Sequence, residues 1–149
     1  MIPDFDENGN LPPGVHFCNW EEFKERFGYT IRRAQMILGM ETAMVELKAA
    51  GCRTFYINGS FVTSKPKPND FDACWEPDTV DMDYLRNNAP TLLNFANKRA
   101  AQKAKYKGEL FPSDQPIDDE GTTSIDFFQL DRRDNRKGII AIDLSRWEP

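Results

Sequence analysis

Arg53-Thr54-Phe55-Tyr56-Ile57-Asn58-Gly59-Ser60, followed after nine residues by Asp70-Phe71-Asp72-Ala73-Cys74-Trp75, is the stretch whose reading decides the fold. The first segment is rich in aromatic and β-branched residues and runs into a Gly-Ser turn, which predicts a strand ending at Gly59. The second predicts another strand, on which Asp70 and Asp72 face one side while Phe71 faces the core. Between them, Lys65-Pro66-Lys67-Pro68-Asn69 holds two prolines, which exclude a regular helix or a central strand and leave a compact loop. Gly-Ser occurs once in the chain, whereas Asp-x-Asp recurs as Asp4-Phe5-Asp6 and Asp81-Met82-Asp83 among 24 acidic residues. The information therefore lies in the pairing of Gly59-Ser60 with Asp70 and Asp72.

Working outward, residues 1–18 are rich in Asp, Asn, Gly and Pro and read as an extended N-terminal arm, with 19–149 as a single domain. Asn19 is expected to cap a short helix over Trp20 to Phe27, with Glu22 reaching back as in a capping box. Thr30 is expected to cap a longer helix ending near Gly51, with an apolar stripe of Ile31, Ala34, Leu38, Val45 and Leu47. Met36, Met40 and Met44, like Trp20, Phe23 and Phe27, read as core. Beyond Trp75, a short helix from Asp78 or Thr79 through Leu85 is expected, then a helical stretch from Pro90 to about Tyr106. Residues 112–121 form a turn-rich connector or lid. The chain closes with an expected hairpin of Thr123–Leu130 and Gly138–Leu144, joined by the basic turn 132–137. About four strands with helices before and between them predict a small mixed sheet with helices packed on it, an α/β or α+β domain.

A length of 149 residues, 40% hydrophobic, suits one domain with a single packed core. No apolar run is long enough to span a bilayer and the N-terminus is acidic, so a cytoplasmic protein without membrane association is expected. Cys18, Cys52 and Cys74 form no Cys-x-x-Cys pair and predict reduced thiols, while a single histidine, His16, excludes histidine-rich zinc chemistry within one chain. Acid-base and metal chemistry must then rest on carboxylates. The net charge of −5 argues against general nucleic-acid binding. The local cations Lys98, Arg99, Lys103, Lys105 and Lys107 read either as a solvated helix face or as a contact for triphosphate, RNA or an acidic partner.

Adjacent carboxylates repel unless a cation lies between them. Magnesium, or manganese in its place, accepts hard oxygen ligands and completes its shell with water and phosphate. Asp70 and Asp72 are thus candidate metal-binding and catalytic residues. Asp126, between Ile125 and Phe127, is the candidate third carboxylate, and Asp143 is the alternative. Gly59 leaves room for a phosphate at the backbone and Ser60 offers an amide and a hydroxyl, so this pair is the candidate nucleotide-binding turn. Lys65 and Lys67 read either as charges on a triphosphate or as solubilising residues of a proline loop.

These residues resemble the nucleotidyltransferase superfamily related to DNA polymerase beta. Its motif is an apolar residue, Gly, Gly or Ser, a spacer, then Asp, apolar, Asp or Glu, apolar. Asn58 stands where that pattern has its apolar residue, and Phe61-Val62-Thr63-Ser64-Lys65 lacks the Arg-Gly of minimal members. Leu11-Pro12-Pro13-Gly14, Trp20-Glu21-Glu22-Phe23, Gly59-Ser60-Phe61-Val62-Thr63, Asp126-Phe127-Phe128-Gln129 and Gly138-Ile139-Ile140 also look like a family of small bacterial proteins with a nucleotidyltransferase-like fold. The resemblance implies transfer of a nucleoside monophosphate from a nucleoside triphosphate to a protein, RNA or small-molecule hydroxyl. By analogy, it also implies a protein partner encoded in the same toxin-antitoxin or phage-defence operon. The competing reading is an inactive module of the same fold that binds a nucleotide or a partner protein in a regulatory role.

Overall fold

The computed structural model describes residues 1–116, 119–130 and 136–149. Its α+β architecture rests on strands β1 (Gly14–Phe17), β2 (Thr54–Asn58), β3 (Phe71–Trp75), β4 (Gly108–Pro112) and β5 (Gly138–Asp143). They form one mixed sheet in the order β1-β5-β2-β3-β4. Helices α1 (Trp20–Phe27), α2 (Ile31–Ala49), α3 (Met82–Asn88), α4 (Ala96–Tyr106) and the short α5 (Ser124–Phe127) complete it. β2 runs antiparallel to β3 and β5, whereas β3–β4 and β1–β5 are parallel. A parallel neighbour requires a long crossover, which α3, a 3₁₀ turn at Pro90–Leu93 and α4 supply between β3 and β4.

Alternation along the strands sorts the two faces. Phe55, Ile57, Phe71, Ala73, Trp75, Leu110, Ile140 and Ile142 are buried in the main core with α1, α2 and α4. The stacked rings of Trp20 and Phe23, 4.9 Å apart, extend through Phe23 to Phe61, 5.9 Å away. On α2 the buried stripe is Met36, Ile37, Met40, Ala43, Met44 and Leu47. Ile31, Leu38 and Val45 are instead 81%, 63% and 45% exposed, and Ala34 is also exposed, which corrects the predicted stripe except for Leu47. Both sets have helical spacing, and Gly39 decides between them. A Cβ there would lie 1.7 Å from the Tyr106 carbonyl oxygen, so α2 meets α4 along the methionine face.

The caps of α1 and α2 are as expected, with Asn19 accepting from the Glu22 amide and Thr30 from the Arg33 amide. Glu22 does not close a capping box, because its carboxylate accepts from the Ile2 amide at 3.1 Å. The N-terminal arm is correspondingly built into the fold. Ile2 and Leu11 are buried, β1 is an edge strand, and the Gly9 carbonyl accepts from the Ser64 amide at 2.9 Å. Asp81, rather than Asp78 or Thr79, caps α3, and the stretch from Pro90 breaks at Asn94 before α4. The expected closing hairpin is also corrected. Residues 124–127 are helical, with Thr123 at the cap, so only β5 forms a strand of that pair. Residues 117–118 of the connector and 131–135, with Arg132 and Arg133 of the basic turn, lie outside the described residues. Among the described residues, no helix is long and apolar enough to cross a membrane.

Candidate active site

The site forms where β2 ends and β3 and β4 begin. Asn58 on β2 is in register with Asp72 on β3, and Asp72 with Glu109 on β4. Directly opposed residues share a face, so an amide and two carboxylates form a row across three strands, on the face opposite the main core. At Gly59 the chain turns with φ +72°, a left-handed value that favours glycine, and a Cβ there would meet the Asp72 Oδ2 at 2.4 Å. The turn and the carboxylate are therefore in contact. A cleft of about 480 Å³ gathers Gly59, Ser60, Thr63, Lys65, Asp70 and Asp72, with Phe127, Leu130 and Lys137 among its other walls.

Of the residues expected in a common site, Gly59, Ser60, Lys65, Asp70 and Asp72 do line this cleft, and Lys67 does not. Asp126 does not line it: it is exposed on α5 and accepts from the Thr123 hydroxyl at 3.1 Å. Asp143 is opposite Thr54 at the other end of β2 and is occupied by Ser145 and Arg146. The carboxylate that the sheet does bring beside Asp72 is Glu109, which is not among the residues lining the cleft. Its sequence signal was one acid before Leu110-Phe111, with Arg99 and Lys103 upstream. The two decoys are local caps: Asp6 accepts from the Asn8 and Asn10 amides, Asp81 caps α3, and Asp83 pairs with Arg86.

Burial pushes the Asp72 carboxyl up to about 8, helped by its hydrogen bond with Glu109 and by the charges of Glu109 and Asp70. Burial also pushes Glu109 upward, but the Asp72 hydrogen bond and the cations Arg99 and Lys103 outweigh it and leave Glu109 below its ordinary value. The two carboxyls are thus pushed in opposite directions, Asp72 upward and Glu109 downward. Arg99 reaches the Glu109 Oε1 at 2.8 Å and Lys103 reaches it at 3.4 Å. Arg99 is held there by left-handed backbone at Asn97, Lys98 and Arg99. Asp70 is raised by burial and by Glu109, against the opposing charges of Lys103, Arg32 and Lys65.

The Gly-Ser turn is fixed from beneath by Arg33, which is fully buried. Its guanidinium donates to the carbonyls of Phe27, Phe61, Thr63 and Lys65 and lies between the rings of Tyr29 and Phe61, 4.8 and 4.7 Å away. Three of those carbonyls belong to the segment between Ser60 and Pro66. Sequence reading missed Arg33 because an arginine in the first turn of an amphipathic helix ordinarily points to solvent.

Among the described residues, no three His, Cys, Asp or Glu side chains are already gathered as a metal cluster. Asp72 and Glu109 present hard carboxylate oxygens on neighbouring strands in register. The buried Asn58 amide beside them has no hydrogen-bond partner at either its oxygen or its nitrogen. Two carboxylates are a usual protein contribution to magnesium.

A mixed-sheet α+β domain with a carboxylate pair facing a glycine-serine turn is the class that fold and site define. The chain belongs to the family of unknown function DUF6932, whose model matches residues 3–143. No curated protein and no solved structure matches the chain.

Proposed function

We propose that this cleft transfers a nucleoside monophosphate from a nucleoside triphosphate to a hydroxyl group on protein, RNA or a small molecule. The observation that carries the reading is the direct contact of the Gly59 turn with Asp72, which stands in register with Glu109 on the next strand. Ser60, Thr63, Lys65 and Lys137 provide hydroxyls and cations for the triphosphate, and Asp72 with Glu109 would hold magnesium or manganese. The bound cation supplies charge neutralisation at the attacking and leaving oxygens. The acceptor oxygen forms its bond to the α-phosphorus while the bond to the bridging oxygen breaks, and pyrophosphate leaves with that electron pair. The acceptor proton passes to solvent by way of Asp70, the carboxylate at the cleft wall, whose raised pKa improves it as a base.

The resemblance to small bacterial nucleotidyltransferases supports a partner encoded in a toxin-antitoxin or phage-defence operon. The three unpaired cysteines suit a reducing cytoplasm, where nucleoside triphosphates are available. A specific observation favours a second reading: burial raises the Asp72 carboxyl and so favours its uncharged form, which suits a regulatory module that binds a nucleotide or protein without turnover. Incubation with α-labelled nucleoside triphosphates, magnesium or manganese and a bacterial lysate separates the two. Transfer by the wild type and its loss in Asp72→Asn and Glu109→Gln supports the enzyme. Wild-type transfer by both variants would overturn the site, and nucleotide binding without transfer would favour the module.

A further inference from the structure

A second cleft, of about 360 Å³, adjoins the first, with Asn69 and Asp70 lining both. Its other walls include Arg32 and Gln35 from α2 and Lys103 and Lys107 from the end of α4. Arg32 and Lys103, with Lys65 from the first cleft, all act electrostatically on Asp70. Several cations thus converge on one carboxylate in a chain whose net charge is −5.

Two of these cations stand where the local backbone disfavours them. The first turn of α2 carries Arg32 and Arg33 and no acid, although the helix dipole there favours negative charge. Arg33, buried directly beside it, donates to four carbonyls, also engages the Tyr29 hydroxyl, and adds a second positive charge to that turn. Lys107 caps α4 in the left-handed conformation, with φ +69°, where glycine is the usual residue. Lys103 suits the C-terminal end of the helix dipole and pairs with Glu109, and Arg32 donates to the Pro68 and Asn69 carbonyls at 2.6 and 3.1 Å, which holds its guanidinium at the wall of this cleft. Arg32, anchored by those carbonyls, meets Lys103 and Lys107 from the end of α4 on one cleft with Gln35 and Asn69 as neutral donors, which builds a site for an anion with several acceptor oxygens.

We propose that this second cleft binds a phosphate group of the acceptor, across Asp70 from the triphosphate turn. Its role in positioning an acceptor rests on the nucleotidyl-transfer reading; phosphate binding does not. The reading narrows the acceptor to a phosphorylated molecule whose hydroxyl reaches the carboxylates while its phosphate lies among Arg32, Lys103 and Lys107.

The test titrates isotope-labelled full chain by NMR with inorganic phosphate, with a 5′-phosphorylated dinucleotide and with the same dinucleotide lacking the phosphate. A non-hydrolysable nucleoside triphosphate and magnesium are present throughout to fill the first cleft. The expected result is that both phosphate-bearing probes shift the amides of Arg32, Gln35, Lys103 and Lys107, and that the unphosphorylated dinucleotide does not. Tighter binding of the dinucleotide than of inorganic phosphate assigns the site to a phosphorylated acceptor, and equal binding leaves it a site for free phosphate and overturns the acceptor role. Lys107→Gly is expected to keep or raise Tm, because glycine accepts the left-handed backbone, yet weaken phosphate binding about tenfold, the scale of one strong charge-assisted contact. Lys65→Gly is expected to leave phosphate binding unchanged. Shifts confined to residues 59–65, or wild-type binding by Lys107→Gly, would overturn the site. Phosphate binding here without any nucleotidyl transfer would sink only the enzyme reading. Transfer with no preference for phosphorylated acceptors would sink only the acceptor role.

Discussion

Two fully buried carboxamides, Gln102 under the helices and Asn58 at the cleft, stand in opposite conditions. Gln102 donates to the Thr91 and Leu92 carbonyls at 3.2 and 3.1 Å and accepts from the Leu110 amide at 2.8 Å, tying α4 to β4. Asn58, in register with Asp72, has no partner at either side-chain polar atom. The helix side of the molecule is built for stability, with its polar groups spent on holding elements together. The row Asn58, Asp72 and Glu109 concentrates polar groups at some cost to the fold, as expected where a ligand is to be met.

The largest effect in this contrast is expected at Arg33, which serves both regions. Arg33→Met leaves the carbonyls of Phe61, Thr63 and Lys65 without their donor and should cost about 4 kcal/mol, measured by urea unfolding. Gln102→Leu should cost about 3 kcal/mol in the same assay, since it strands one buried amide and two carbonyls. The comparison then inverts at Asp72. Its folded pKa lies above the ordinary carboxylate value of 3.8, so the native state binds more protons than the unfolded state, and stability falls as pH rises from about 4 to 8. Asp72→Asn removes that loss and should stabilise the protein by about 2 kcal/mol at pH 9 while the difference fades in acid; thermal melts against pH measure it. Activity, by the reading above, disappears at every pH. Asn58→Leu, close in size, should gain about 1 kcal/mol, and a loss comparable with that of Gln102→Leu would show that Asn58 is structurally satisfied. At the small end, Lys98→Gly should gain about 1 kcal/mol by relieving the left-handed backbone before Arg99, read as a rise in Tm.

The local signals in the sequence were strong where geometry depends on neighbouring residues. Asn19 and Thr30 cap as read, the Gly59 turn ends a strand, and Phe71 and Asp72 separate to opposite faces because alternation leaves no other choice. Long-range facts were not legible. Glu109 became a site residue only through the parallel pairing of β4 with β3, across a crossover of more than thirty residues. Asp126 looked equivalent in apolar context, yet residues 124–127 form a helical turn in which Asp126 accepts from the Thr123 hydroxyl, outside the sheet. On α2, two apolar stripes competed, and the choice belonged to the Tyr106 carbonyl, which only Gly39 admits. Arg33 was hidden for the same reason: the carbonyls that solvate it come from the loop after β2.

The position of β5 has a consequence for how the sheet closes. β5 follows the other four strands in the chain but lies between β1 and β2 in space. The β2, β3 and β4 segments can pair with one another, and so place Asp72 opposite Glu109, while one edge of β2 and one edge of β1 still lack their partner. Until residues 138–143 join the sheet, those two edges stay open to pairing with another chain.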